Sequence, residues 1–283
     1  MAVSTPETEP GPLGLIAGGG NLPVELVRNA ARNGIGEIIA VGFREYTSPE
    51  VQAGAAHFEY IGIGQLGKLI RIFTSRGVRR AVMLGSLSPR LTIADVRLDL
   101  RMLMLAARVR DRRADSVLSA IAGEMARDGI TLVDCTTYLK HLLATDGVMT
   151  RATPSKKQWT DIRLGIKLAR ASGGLDIGQT VVVRKHAVVA VEAMEGTDAC
   201  IKRAGALAKD IVVVKMSKPE QDFRFDVPCI GLDTVRTLAD AHGAVLAVEA
   251  GKTFLLDREK TLELADAHHI AVAGVTPGQA EEA

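Results

Sequence analysis

The densest chemistry in this chain of 283 residues is the stretch Lys215-Met-Ser-Lys218-Pro-Glu-Gln221-Asp222-Phe-Arg224-Phe-Asp226-Val-Pro228-Cys-Ile-Gly231. It follows Ile211-Val-Val-Val214, an apolar run that reads as a buried strand. Packing alone seldom asks for lysines, an arginine, a glutamine and aspartates together at a strand end. Cations in such a loop hold phosphate. A carboxylate there holds a divalent metal or aligns a water. A solvated loop is the competing reading of the same residues.

Three other stretches carry candidate chemistry. Gly18-Gly19-Gly20-Asn21 follows the first strand and opens a helix, where glycine lets a ligand approach the backbone and the helix end favours an anion. The dinucleotide fingerprint needs a third glycine where Pro23 stands, and an acidic residue at the end of the second strand, where Phe43-Arg44 stand. A nicotinamide site is therefore weakly signalled, and a phosphate site competes with a tight turn. Gly62-Ile-Gly-Gln-Leu-Gly67-Lys68-Leu69 nearly repeats a P-loop, but Leu69 cannot ligate magnesium as Ser or Thr would. NTPase chemistry is excluded on that residue. Asp176-Ile-Gly-Gln179 and Glu192-Ala-Met-Glu195-Gly-Thr-Asp198 flank the hairpin and offer hard oxygens for a metal, while Glu195-Gly-Thr-Asp198 also reads as a helix N-cap through Thr197 or Asp198.

A wide apolar arc, Leu98 to Ala107, contains Met102 and Met104 among arginines. Methionine adapts to irregular ligands such as acyl chains, and a core helix is the alternative. The arc lies in segment 66–113, which holds twelve Lys/Arg against three Asp. That segment carries +9 in a chain of net +2, leaving −7 elsewhere. Such asymmetry points to an anionic partner. Phe73 is the one aromatic in the stretch, too few for a stacking platform, so no nucleic-acid partner is expected.

The three cysteines, Cys135, Cys200 and Cys229, lie far apart and show no zinc spacing. No apolar run reaches the roughly 18 residues that span a bilayer. The first twelve residues lack the basic and apolar parts of a signal peptide. A soluble, cytoplasmic protein is expected.

The elements that must position these residues alternate. Strands at 13–17, 37–42, 57–63 and 80–85 are separated by helical spacing at 22–33 and 65–76, the βαβ rhythm of a parallel sheet. The second half mixes a hairpin (178–184 with 187–193) with alternating strands and helices. The expected class is α/β: an N-terminal Rossmann-like parallel-sheet domain (13–146), a linker (147–155), and a C-terminal mixed α/β catalytic domain (156–276). The tails 1–12 and 277–283 are expected to be disordered.

Taken together, ordered along nearly the whole chain, several stretches resemble one family. They are Leu13-Gly-Leu-Ile-Ala-Gly-Gly-Gly20 with Leu22-Pro23, Gly62-Ile-Gly64 with Gly67-Lys68, Leu175-Asp-Ile-Gly-Gln179, Val191 to Ala199, and Lys218-Pro-Glu-Gln221 through Arg224-Phe-Asp-Val-Pro228 to Ile230-Gly231. The family is the UDP-2,3-diacylglucosamine pyrophosphatase of lipid A biosynthesis, in the form that replaces the metallophosphoesterase type in some bacteria. The Ser86-Leu-Ser88-Pro89 turn departs from its pattern.

The resemblance implies hydrolysis of UDP-2,3-diacylglucosamine to UMP and 2,3-diacylglucosamine 1-phosphate (lipid X), with water attacking the α-phosphorus. It implies Mg²⁺ (or Mn²⁺) and an essential aspartate that matches Asp226. The site expectation is then Asp226 as catalytic residue. Gly18, Gly19, Gly20, Asn21, Lys215, Lys218, Gln221 and Arg224 are expected on phosphate, Met102 and Met104 on lipid, and Asp226, Asp198 and Glu195 on metal. The expected partners are that substrate and product and the anionic inner-membrane surface, with peripheral attachment there, and a second copy of the chain as a candidate. A nicotinamide-dependent oxidoreductase and a non-catalytic nucleotide-sugar or lipid-binding protein are the rival readings.

Overall fold

A computed structural model describes residues 11–87, 98–109 and 114–281. The chain forms two compact units. The first comprises residues up to Leu139 together with Phe223–Phe225, and the second comprises Lys140–Asp222 and the residues from Asp226 onward.

The first unit is built on strands β1 (Leu13–Ala17), β2 (Ile38–Phe43), β3 (His57–Ile61), β4 (Arg80–Leu84) and β5 (Thr131–Leu132). They pair in parallel in the order β3-β2-β1-β4-β5. Consecutive strands run outward from β1 in both directions, so the switch in strand order falls beside β1. Helices α1 (Leu22–Arg28), α2 (Pro49–Gly54) and α3 (Leu66–Ser75) connect the first four strands, and α4 (Leu100–Arg108) and α5 (Ala114–Arg127) precede β5. β1 and β2 are buried along their whole length, as strands covered on both faces must be. Ile39, Val41, Leu69, Ile70 and Phe73 form one core with Leu105, Ala122 and Met125. Phe225 packs on the same core, and the Cys135 thiol donates to the Phe223 carbonyl at 3.5 Å.

Among the described residues, helix α4 is tied down along one side. Met102 and Leu105 pack on the core. Arg101 donates to Glu124 at 2.9 Å and bonds to Asp128. The Arg101 hydrogen bond is the largest cause holding the Glu124 carboxyl below the usual range. The opposite side leaves Leu100 73%, Leu103 49% and Met104 46% exposed. Of the apolar arc from Leu98 to Ala107, the helix takes in only the part from Leu100 on, with Asp99 as its N-cap, and residues 88–97 lie outside the described residues.

The second unit carries a six-stranded sheet ordered β6-β13-β11-β9-β7-β8. Its strands are β6 (Gly147–Val148), β7 (Thr180–Arg184), β8 (Ala187–Val191), β9 (Ile211–Lys215), β11 (Gly243–Glu249) and β13 (Ala271–Val275), with β10 (Cys229–Ile230) and β12 (Phe254–Leu255) paired separately. Helix α6 (Lys156–Gly174) covers one face, where Ile162 and Ile166 meet Val181, Val212, Val214 and Ala247. Helices α7 (Thr197–Leu207), α8 (Leu232–Asp240) and α9 (Arg258–Ala267) cover the other, where Ile201, Val235 and Leu238 meet Val182, Val213 and Leu246. Alternate residues of β9 thus serve opposite cores, the period-two rule. α6 lies so close to β9 that a Cβ at Gly165 would sit 2.3 Å from Val214 Cγ2.

Two boundary expectations are corrected. Residues 147–155 are not a linker: Gly147 and Val148 pair antiparallel with β13, and the second unit begins at Lys140. A two-residue strand is too short to show a period, and Asp146-Gly147 gave only its turn signal. Residues 277–280 are not a tail but a 3₁₀ turn capped by Thr276 and Gln279 and packed on α6. Residues 1–10 and 282–283 lie outside the described residues. No described helix is long and apolar enough to cross a membrane.

Candidate active site

The loop that leaves β9 is organised by its own side chains. Lys215, the last residue of β9, is 7% exposed and donates from Nζ to Thr197 Oγ1 at 2.9 Å. Ser217 is buried and donates its backbone N–H to Glu249 Oε2 at 2.9 Å, with its hydroxyl on the same oxygen. Lys252 neutralises the other oxygen of Glu249 at 2.9 Å. The Lys218 ammonium reaches Asp176 Oδ1 at 2.6 Å. Gln221 accepts from the Lys218 N–H at 3.1 Å and donates to Asp226 Oδ2 at 2.8 Å.

Asp226 itself is exposed, and Oδ1 has no hydrogen-bond partner among the described residues. Burial pushes the neighbouring Cys229 thiol up to about 11, with Lys215 opposing and Asp226 adding to the shift. The structure brings Lys215, Lys218, Gln221 and Asp226 into one loop of the second unit. Arg224 belongs to the first unit and lies over the Phe225 ring at 4.8 Å.

The three carboxylates expected on metal are not assembled as one cluster. Among the described residues no three of His, Cys, Asp and Glu gather as a metal site. Glu195 pairs with Arg203 at 2.5 Å and accepts the Ala193 N–H at 3.1 Å, and the Arg203 hydrogen bond holds its carboxyl low. Asp198 lies in the first turn of α7, where a carboxylate suits the helix dipole. Asp226 remains, a hard oxygen donor held by the Gln221 amide. That donor fits Mg²⁺, which is usually held by one or two carboxylates plus substrate phosphates.

The helix N-cap through Thr197 or Asp198, the alternative to a metal site in this stretch, is not formed. Gly196 caps α7 without a side chain, and the Thr197 hydroxyl turns to Lys215 and to Glu192 Oε1 at 2.8 Å. Glu192 was not among the expected site residues. It opens the Glu192–Asp198 stretch beside the hairpin and falls within the stretch Val191–Ala199 that carries the family resemblance, but nothing in the sequence assigned it a role of its own.

In the first unit, the glycine turn has a packing reason at two of three positions. A Cβ on Gly18 would lie 2.9 Å from the Ser86 carbonyl, and on Gly19 3.3 Å from it. Gly20 has φ +90° and open space around its Cα, and Asn21 follows it at the N-cap of α1. The near-P-loop is closed to anions. Asp99 Oδ2 already accepts the N–H groups of Gly67 at 2.6 Å and Lys68 at 3.3 Å. Its Oδ1 caps α4 through Met102 N at 2.9 Å.

A pocket of about 160 Å³ opens where the carboxyl ends of β1 to β4 meet the helices, lined by Ile16, Phe43, Ile61, Met83, Met102 and Ile121 together with Gly18 and Gly85. Open parallel sheets bind ligands at this edge. Among the described lining residues Gln65 alone has a polar side chain, and its Oε1 accepts the Gly62 N–H at 2.8 Å. The pocket suits a hydrocarbon chain rather than a dinucleotide. Met102 lines it, whereas Met104 stands on the exposed side of α4.

Comparison with known proteins follows the same two-unit division. The model of the LpxI N-terminal domain matches residues 12–142, and that of the LpxI C-terminal domain matches residues 145–273. A curated relative from Caulobacter vibrioides, named UDP-2,3-diacylglucosamine pyrophosphatase LpxI, is 33% identical over 283 aligned positions that cover 94% of this chain and 98% of its own. A solved structure titled "Crystal structure of gox2253" aligns over 96% of this chain and 92% of its own at 9% identity and TM-score 0.32, too weak a likeness to carry an argument. Matched across both units by the two domain models and over almost its full length by that relative, the chain belongs to the LpxI family.

Proposed function

We propose that this chain hydrolyses UDP-2,3-diacylglucosamine to UMP and 2,3-diacylglucosamine 1-phosphate (lipid X) in lipid A biosynthesis. The observation that carries the reading is the near full-length match to a relative of that name. The loop after β9 supplies the chemistry such a reaction needs.

A water oxygen attacks the α-phosphorus, the bond from that phosphorus to the bridging oxygen breaks, and lipid X leaves with the bridging oxygen. UMP retains the water oxygen. Lys215 and Lys218 neutralise the diphosphate, each by a charge-assisted hydrogen bond of about 1.5–3 kcal/mol. Gln221 holds the Asp226 carboxylate toward the reacting centre. Asp226 would hold a divalent cation together with the substrate phosphates, and such a cation would supply charge neutralisation and acidify water. The pocket lined by Met102 takes acyl-chain carbons, each buried methylene contributing about 0.8 kcal/mol.

The substrate is a lipid, so the chain works at an anionic bilayer surface as a peripheral protein. Support comes from the exposed Leu100, Leu103 and Met104 in a segment of +9, although Arg101 is neutralised by Glu124 and Asp128 and Lys68 lies 3.8 Å from Glu59. The test is turnover by purified protein with Mg²⁺ in H₂¹⁸O. Equimolar UMP and lipid X with the label in UMP is expected. No UMP release under Mg²⁺ or Mn²⁺ overturns the function, and label in lipid X overturns the point of attack.

A further inference from the structure

We propose that Thr197 and Glu192 are positioning residues for this hydrolysis, acting through Lys215. The inference rests on the reading that Lys215 contacts the diphosphate. The geometry is a directed chain of hydrogen bonds across the second unit. Glu192 Oε1 accepts from Thr197 Oγ1 at 2.8 Å, and Thr197 Oγ1 accepts from Lys215 Nζ at 2.9 Å. A hydroxyl has one proton, and an ionised carboxylate only accepts. The Thr197 proton therefore points at Glu192, and its lone pair must face the ammonium.

Each member is fixed from behind. Glu192 is 7% exposed, follows the end of β8, receives the Gln179 N–H at 3.3 Å, and donates its own N–H to the Thr180 carbonyl at 2.9 Å. Gly178 makes that closure possible, since a Cβ there would lie 2.1 Å from the Glu192 carbonyl oxygen. Thr197 is β-branched and stiff about χ1, at the first turn of α7. Thr180 Oγ1 stands 3.5 Å away, too far to compete strongly for the hydroxyl.

The spacing has a chemical consequence. Lys215 and Glu192 make no direct ion pair among the described residues; a hydroxyl stands between them. A buried ammonium needs compensating charge. The carboxylate provides it through Thr197, while the ammonium keeps two of its three N–H donors for another acceptor. A direct carboxylate contact would compete with phosphate for the same charge. A buried lysine held in this way is pre-organised, and the phosphate does not have to order it.

The test is a double-mutant cycle on the full-length protein, with UDP-2,3-diacylglucosamine as substrate, read as kcat, KM and Tm. Thr197→Val should lower kcat ~10- to 100-fold, the scale of a misplaced charge, with KM changed less. Thr197→Ser should restore most of the loss. In a Lys215→Met background Thr197→Val should have almost no further effect, because its partner is gone. Glu192→Gln keeps the shape and removes the charge, and it should reproduce the kcat loss; paired with Lys215→Met it completes a second cycle if Thr197→Val does not fold. Additive losses in either cycle overturn the proposal. So does a kcat unchanged by Thr197→Val when Lys215→Met is impaired, an outcome that leaves the phosphate contact standing. A kinetically silent Lys215→Met removes the phosphate reading and this proposal with it.

Discussion

Gln221 grips Asp226 twice: its amide nitrogen donates to the side-chain Oδ2 and to the main-chain carbonyl, both at 2.8 Å. The same amide accepts the Lys218 N–H through its oxygen at 3.1 Å. One side chain thus closes the loop and orients its carboxylate. Asp226→Ala should remove activity by about 10³-fold or more in kcat, the range for a group acting on the chemical step. Tm should hold, because Asp226 is exposed. Steady-state kinetics and calorimetry check both, and near-normal turnover would sink the assignment.

Gln221→Ala should lower kcat less than Asp226→Ala does, by about 10- to 100-fold, since the carboxylate remains but loses its aim. The order of the two variants is the measured quantity. A Gln221→Ala enzyme with normal kcat means the loop orders itself by other contacts.

The two methionines of α4 should separate. Met102→Gln places an amide in the apolar pocket and should raise KM for the diacyl substrate more than for a short-chain analogue. Leu100→Asp together with Met104→Asp should leave turnover of a detergent-dispersed substrate unchanged while lowering flotation with anionic vesicles. Equal KM shifts for both chain lengths would return Met102 to a packing role. Unchanged flotation would move membrane contact away from α4.

Arg101→Met should lower Tm at neutral pH by releasing α4 from Glu124 and Asp128, a loss of about 1.5–3 kcal/mol for hydrogen bonds between charged groups. The sign with pH follows from the depressed Glu124 carboxyl. Its contribution is complete above the ordinary carboxylate pKa and fades as pH falls through the lower folded value. The gap in Tm between parent and variant should therefore narrow in acid. A gap constant with pH would show that packing of the Arg101 stem carries the effect.

Exhaustive chelation should abolish UMP release, and Mg²⁺ or Mn²⁺ should restore it better than Zn²⁺, because Asp226 is an oxygen donor and no group of three His, Cys, Asp or Glu gathers among the described residues. Full turnover after chelation, with no metal found in the protein by elemental analysis, would reject the cation.

Much of the architecture was legible in the order of residues alone. The parallel sheet of the first unit follows from apolar runs such as Leu13–Ala17 and Ile38–Phe43 alternating with helical spacing, because strands covered on both faces read as continuous hydrophobic stretches. The loop from Lys215 to Asp226 stood out because its polar residues interrupt a buried pattern. Tertiary structure decided what those residues touch. Asp99 fills the amides of the near-P-loop from 32 residues away, and Asp176 reaches Lys218 from 42 away. The backbone of Ser86 explains Gly18 and Gly19, which in the sequence looked like a ligand-binding turn. Thr197 reads as a helix cap by position, yet its hydroxyl serves Lys215 and Glu192. Local sequence sets periodicity and turn chemistry, since these depend on neighbours within a few residues. A hydroxyl or carboxylate takes whichever partner the packed strands and helices bring within 3 Å, and that choice is made only when distant elements meet.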